Sequence, residues 1–417
     1  MTRTRPGNNA THGSRPHRRV KRLLAGLLVL LTAAGVGIAL FVGSTHPPAP
    51  SDFYRAPSPL PKGPPGTMIR SETLENPPEG SRGWKILYLS RGFTGAPTAQ
   101  SALLFVPTTK PRTGGRNVVV HTHGTIGVAS KCAGSNLGPV YWPAIDGLAA
   151  FIAAGTVVVA PDYQGLGTPG PHPYLVGQAE AWSSLDAVRA AHDFKPAAAS
   201  TRFVAWGASQ GGQAALFTGQ ESASYAPELR LAGVAVAAPA TDLKELFEAN
   251  RTTTFGRVLS AYALHTWSQV YPQLRLDQVA TRLSQPTIRR MANICLNSRN
   301  GLISAAGASL ALKVHYLRAL PWEVEPWKGL LARNSPGAVN IPAPLLIVQG
   351  DADPLVRPAI TSAFVERLCR QGQRVEYRTL PGVGHVDAGP KAAAAATIWI
   401  LARFAGDPAA STCGARR

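Results

Sequence analysis

Residues 203–212 constrain this chain more than any other stretch. They read Phe-Val-Ala-Trp-Gly-Ala-Ser-Gln-Gly-Gly, an apolar strand pattern running straight into Gly207-x-Ser209-x-Gly211 and then into a helical pattern. A serine between a strand and a helix at this spacing occupies a sharp, strained turn. Residues two positions before and after it must be small, because a side chain there would meet neighbouring backbone. Gly207 and Gly211 fulfil that need. The turn exposes the Ser209 hydroxyl and aims the backbone N–H of Gln210 at the same space. A flexible Gly-Ser loop would carry the same letters without a strand before it and a helix after it.

A turn of this kind belongs to a mostly parallel sheet, and strand patterns recur in order at 84–89, 102–106, 118–121, 156–160, 203–207, 233–238, 345–350 and 375–380. The middle ones, NVVVHTHG, GTVVVAPDY and APLLIVQG, are continuous apolar runs, as expected of strands buried on both faces. Helical patterns at 182–192 and 212–219 separate them. The expected class is therefore α/β, a mostly parallel eight-stranded sheet with helices on both faces and an antiparallel start. The core is expected over 67–240 and 341–417. The intervening 241–340 is too long for a simple connection and is expected to be an inserted, mainly helical cap, with helices in FGRVLSAYALHTWSQVY and SLALKVHYLRALPW. Phe255, Tyr262 and Trp267 are expected to pack the cap's own core.

A serine hydroxyl is a weak nucleophile near neutral pH, so a base must take its proton and an acid must orient that base. In this chain order the acid follows the seventh strand, where LLIVQGDADPLVRP offers Asp351 and Asp353. Asp351 follows Gly350 directly and belongs to the turn, so Asp353 is the expected acid. The eighth strand leads into Gly-Val-Gly-His385, and the glycines let the imidazole of His385 swing toward the serine as the base. After the third strand, His121-Thr-His123-Gly124-Thr125 lies where a second oxyanion donor belongs. The N–H of Gly124 or of Thr125 is expected to join that of Gln210. His121 and His123 lack the partner ligands of a metal cluster and are expected to be structural, so no metal is expected. Gly165-Leu-Gly167-Thr-Pro-Gly170 imitates a dinucleotide fingerprint, but Pro169 and Pro171 prevent a helix from starting there. The loop is expected to wall the mouth of the site instead.

Charge bears on location more than on partners. The formal charge is +19, and seven of its bases, Arg3, Arg5, Arg15, Arg18, Arg19, Lys21 and Arg22, precede every acidic residue; without them the excess is +12. No later stretch interleaves bases with stacking aromatics, which excludes nucleic acid as the expected partner. Residues 23–43 are uncharged, apolar and long enough to span a bilayer. Following the basic 1–22, they are expected to be an uncleaved signal anchor, with a cleaved signal peptide as the alternative. The catalytic part is then exported, held at the cell membrane facing outward or secreted. The Pro-rich 44–66 reads as a semi-rigid linker. Cys132, Cys295, Cys369 and Cys413 suit an oxidising compartment and allow three pairings.

HGTIG with Cys132 shortly after, DYQGLG followed by HPYL, GASQGG, QGDADPLV and GVGH occur here in that order. Together they resemble the secretory lipases, the fungal lipase A type of α/β-hydrolase and its bacterial relatives, over about residues 67–413. The resemblance implies a capped α/β-hydrolase acting on carboxylic esters, commonly acylglycerols, without a cofactor. It implies Cys132 paired with Cys295 and Cys369 paired with Cys413. No obligate protein partner is expected. An envelope acyltransferase using the same three residues, and a non-catalytic surface binding protein that keeps the fold, are the alternatives.

Overall fold

The computed structural model of the protein describes residues 1–2, 47–312 and 315–416. The expected membrane segment 23–43 and the basic residues 3–22 lie outside the described residues. Among the described residues no helix is long and apolar enough to cross a membrane.

Residues 47–417 form one compact unit built on a nine-stranded sheet. Its strands are β1 (Met68–Thr73), β2 (Ser81–Arg91), β3 (Pro97–Pro107), β4 (Arg116–Thr122), β5 (Val157–Pro161), β6 (Ala199–Ala208), β7 (Arg230–Ala237), β8 (Leu345–Gly350) and β9 (Val375–Leu380), in the spatial order β1-β2-β3-β5-β4-β6-β7-β8-β9. β1 through β3 run antiparallel to their neighbours, and β5 onward are parallel. The eight expected strands are all present, and β1 makes a ninth. Its sequence, MIRSET, has no apolar alternation because it is an edge strand, half-buried at best.

Eleven helices accompany the sheet among the described residues: α1 (Leu148–Ala153), α2 (Gly177–Asp193), α3 (Gln210–Tyr225), α4 (Leu243–Asn250), α5 (Thr254–Val270), α6 (Leu276–Val279), α7 (Gln285–Met291), α8 (Arg299–Ser309), α9 (Trp327–Arg333), α10 (Pro358–Arg370) and α11 (His385–Ala405). One face of the sheet packs on α2, α3 and α10 through Leu185, Val188, Leu216, Phe364 and Leu368. The other packs on α1 and α11 through Phe151, Ile152, Trp399 and Ile400. Strands such as Val157–Pro161 and Leu345–Gly350 are buried at every residue, which explains their unbroken apolar sequences.

α4 to α9 all fall between β7 and β8. Side-chain caps define their starts: Asp242 accepts from the Glu245 N–H and Thr253 Oγ1 from the Gly256 N–H, both at 3.0 Å, each worth about 1 kcal/mol. Tyr262 and Trp267 are buried in an apolar cluster with Ile288, Met291 and Trp327, whereas Phe255, expected there, is exposed at the first turn of α5. Among the described residues of the second expected helix, within 309–322, Ser309 ends α8, Leu310–Leu312 form a short turn of 3-10 helix and no further helix follows. Beyond it the chain bridges Leu317 to Ala280, and the Tyr316 carbonyl accepts from the Thr281 N–H and the Ser284 hydroxyl, which satisfies backbone that a helix would otherwise have paired.

Residues 47–66, expected as a spacer, are anchored to the core at an adjacent pair of aromatics: Tyr54 is buried and its hydroxyl meets Ser135 Oγ at 2.8 Å, and Lys85 Nζ sits 4.7 Å from the centre of the Phe53 ring. Two disulfides, Cys132–Cys295 and Cys369–Cys413, tie the region after β4 to the segment after α7 and the C-terminal segment to α10.

Candidate active site

β6 is central, flanked by β4 and β7, and the chain leaves its carboxyl end to enter α3 through a single residue, Ser209. Ser209 takes φ 58° and ψ −121°, a region that costs a side-chain-bearing residue about 1–3 kcal/mol. Its backbone is held on both sides: the N–H donates to Ala237 O, and the carbonyl accepts from the N–H groups of Gln213 and Ala240. The flanking glycines are steric necessities. A Cβ on Gly207 would lie 2.2 Å from Thr122 Oγ1, and one on Gly211 would lie 2.0 Å from the Thr122 carbonyl oxygen. Thr122 Oγ1 in turn donates to Gly211 O at 2.8 Å, clamping the end of β4 to the turn. Gly211→Ala is expected to lose about 1–3 kcal/mol of stability or more, because the obstacle is backbone that cannot rotate away; urea unfolding measures it, and an unchanged midpoint would contradict the close approach.

The structure brings Ser209, His385 and Asp353 together. His385 Nε2 lies 2.8 Å from Ser209 Oγ, and His385 Nδ1 lies 2.8 Å from Asp353 Oδ2. Asp353 is buried, and its carboxylate accepts from the Leu355 and Val356 N–H groups at 2.9 Å on Oδ1 and from Gln349 Nε2 at 3.3 Å on Oδ2. Because Oδ2 is an acceptor, the ring proton of His385 resides on Nδ1 and the lone pair of Nε2 faces the serine hydroxyl. Asp351 does not join this group. It is exposed and its Oδ1 accepts from the Gly382 N–H, pinning the loop that leads to His385.

The loop after β4 passes over the elbow: a Cβ on Gly124 would come within 3.8 Å of Ser209 Cβ and 3.3 Å of Ala208 O. His123 Nδ1 bonds Gly124 O at 2.7 Å, which fixes the plane of the Gly124–Thr125 peptide and so the direction of the Thr125 N–H. Thr125 Oγ1 pairs with the Tyr174 hydroxyl at 2.8 Å. His121 and His123 are buried, and burial pushes both imidazoles down, His121 to about 3, so both are neutral at physiological pH. Each bonds backbone, His121 Nε2 accepting from the Asp146 N–H at 3.2 Å. In the 165–170 loop Gly165, Gly167 and Gly170 all have positive φ, and no helix begins there; the next starts at Gly177. Gly170 and Pro171 wall an open groove of about 610 Å³ together with Val128, Ser130, His265 and Gln269.

Sequence reasoning missed what lies behind Gln210. The Gln210 N–H, first in α3, has no acceptor within its own helix. Its side chain turns inward, where Nε2 donates to Glu180 Oε1 at 2.7 Å and lies 3.5 Å from His172 Nε2. Glu180 Oε1 also accepts from the Leu175 N–H at 3.0 Å, while Oε2 is buried without a partner. Burial pushes the Glu180 carboxyl up to about 8, so it is largely protonated at neutral pH, and pushes His172 down to about 3. His172 Nδ1 meets Gln164 O at 2.9 Å, so that nitrogen carries the ring proton. A signal existed. Ala179, Ala181, Ser183 and Ser184 surround Glu180 with small residues, as in a helix pressed from several sides.

The chain has recognisable relatives among known proteins. The secretory lipase family profile matches residues 146–412. A Mycobacterium tuberculosis protein named a probable inactive lipase is 24% identical over 392 residues, covering 87% of this chain and 84% of that protein. Lipase 6 of Candida albicans is 26% identical over 405 residues, covering 89% and 84%. Among solved structures, Candida antarctica lipase A superposes with a TM-score of 0.73 at 17% identity, covering 88% of this chain and 89% of that one, a likeness of α/β-hydrolase fold.

Proposed function

The chain belongs to the secretory lipase family, and on that footing we propose that it is an exported lipase or carboxylesterase that cleaves carboxylic esters such as acylglycerols through an acyl-enzyme on Ser209. The observation that carries this reading is the unbroken relay from Asp353 through His385 to Ser209, 2.8 Å at each step, on a serine held in a strained turn.

Ser209 Oγ attacks the ester carbonyl as His385 Nε2 takes its proton. Asp353 holds the ring in the tautomer that makes this transfer possible and stabilises the imidazolium that forms. Negative charge growing on the carbonyl oxygen is met by the N–H groups of Gln210 and of the Gly124–Thr125 loop. His385 then protonates the departing alcohol, and water, deprotonated by the same imidazole, releases the acid. Residues 241–340 serve as the cap over this site, and 23–43 as the signal anchor or signal peptide that delivers it outside. Two disulfides agree with an oxidising compartment.

The inactive label on the Mycobacterium relative favours a second reading, an inert fold that only binds. Incubating the full chain with a fluorophosphonate probe separates the two. Stoichiometric labelling of Ser209, together with turnover of p-nitrophenyl esters, is the expected result. Absence of both would leave the inert reading standing. Added alcohol yielding transfer product faster than free acid would assign the acyltransferase reading instead.

A further inference from the structure

We propose that Glu180 is the positioning residue of the oxyanion pocket, fixing both of its walls at once, a proposal that rests on the ester-hydrolase reading above. On one side Glu180 Oε1 accepts from Gln210 Nε2 at 2.7 Å, and Gln210 is the residue whose backbone N–H opens α3 directly after Ser209. On the other, the same oxygen accepts from the Leu175 N–H at 3.0 Å, and the next residue back, Tyr174, bonds Thr125 Oγ1 at 2.8 Å through its hydroxyl. One buried oxygen atom therefore reaches the elbow directly and the opposing loop through Leu175 and Tyr174.

The parts between are equally constrained. Leu175 adopts φ 56°, unfavourable for a leucine, and both its backbone groups are gripped: the N–H by Glu180 and the carbonyl by Gln213 Nε2 at 3.2 Å. The Tyr174 carbonyl accepts from Trp267 Nε1 at 2.7 Å, and its ring is buried. The two protons of the Gln210 amide are directed to Glu180 and toward the acceptor nitrogen of His172, which fixes the amide's orientation. A carboxyl group with no exposed surface and one unpartnered oxygen costs stability unless it does something else. Placing two N–H groups where charge develops is such a task, because an oxyanion donor acts only when held at hydrogen-bond distance from the oxyanion's position.

The test uses the full chain and a matched pair of substrates, a p-nitrophenyl ester and its thionoester, whose sulfur is a poor hydrogen-bond acceptor and draws little from the pocket. For Glu180→Leu the expected result is a fall of about 10- to 100-fold in kcat on the oxygen ester. KM should stay within about twofold, because the donors act mainly in the transition state. The thionoester rate should change little, so the preference for oxygen collapses. Glu180→Gln keeps the acceptor in a neutral side chain of the same shape and should remain within about threefold of the parent. Tyr174→Phe, which removes one hydroxyl and keeps the packing, should lower only the oxygen-ester rate. The proposal is overturned if Glu180→Leu turns over the oxygen ester normally, if both substrates slow equally, or if Tyr174→Phe leaves the preference for oxygen intact. Ser209→Ala in the same assay keeps the two levels apart: an active Ser209→Ala sinks the hydrolase reading itself, whereas an inert one beside an unaffected Glu180→Leu sinks the positioning role alone.

Discussion

Ser209→Ala is expected to lower kcat on a chromogenic short-chain ester by about 10⁵- to 10⁶-fold, with the circular dichroism spectrum and urea midpoint unchanged. The size follows from what is removed. The relay holds His385 Nε2 2.8 Å from Ser209 Oγ, so without the hydroxyl there is no covalent intermediate and the imidazole is left to activate water in a cavity shaped for a different attack line. Residual turnover above the uncatalysed rate should persist, because the N–H groups proposed to meet the oxyanion remain. Stability should hold, because Ser209 is fastened through its backbone to Ala237, Gln213 and Ala240, and its hydroxyl adds only the bond to His385. Retained turnover near the parent's rate would remove Ser209 from the chemistry.

Asp353→Asn should cost about 10⁴-fold in kcat, while Asp351→Asn should leave kcat within about threefold. The two residues differ by one position in between and by everything around them. Oδ1 of Asp353 is the acceptor for two backbone N–H groups at 2.9 Å, so an asparagine at this site must keep its carbonyl oxygen there. Its amide then replaces Oδ2 and donates to His385 Nδ1. That forces the ring proton onto Nε2, which points at the serine hydroxyl and can no longer accept from it. Asp351, exposed and bonded to the Gly382 N–H, shapes the loop without touching the ring. Equal losses in the two variants, read from kcat at saturating substrate, would show that loop shape and not the carboxylate at His385 governs the rate.

The parts legible in the sequence were those whose physics is local. Val157–Pro161 and Leu345–Gly350 are buried throughout, and an unbroken apolar run says so. Gly207 and Gly211 are required by a clash with Thr122, a residue about 90 positions away, yet the requirement is written at the turn itself because any elbow would impose it. β1 escaped because an edge strand, half-buried at best, carries no apolar pattern. Tyr316 and Leu317 read as part of a helix by periodicity, but their backbone meets Ala280, Thr281 and Ser284, partners that only the tertiary fold supplies. Glu180 was hidden for the same reason. A glutamate on a helix reads as a solvated face, and its inward direction is decided by Gln210 and Leu175 on separate elements.

The Cys132–Cys295 bond has a mechanical consequence. Residue 295 belongs to the segment between β7 and β8, and the Leu296 N–H donates to Ile126 O, two residues beyond Gly124. Gly127 is wedged against the same bond, where an added Cβ would sit 2.6 Å from Cys132 Sγ. The segment between β7 and β8 is thus moored at three points, its two chain ends and a covalent rivet partway along, and the rivet is driven into the stretch that follows Gly124 and Thr125. Any movement that lifted residue 295 would pull on the loop of Gly124 and Thr125 through this bond and through Ile126. Under the proposed function, an opening that spared the Gly124–Thr125 loop would have to come from the two spans on either side of the rivet, each free to be displaced without pulling on the bond between them.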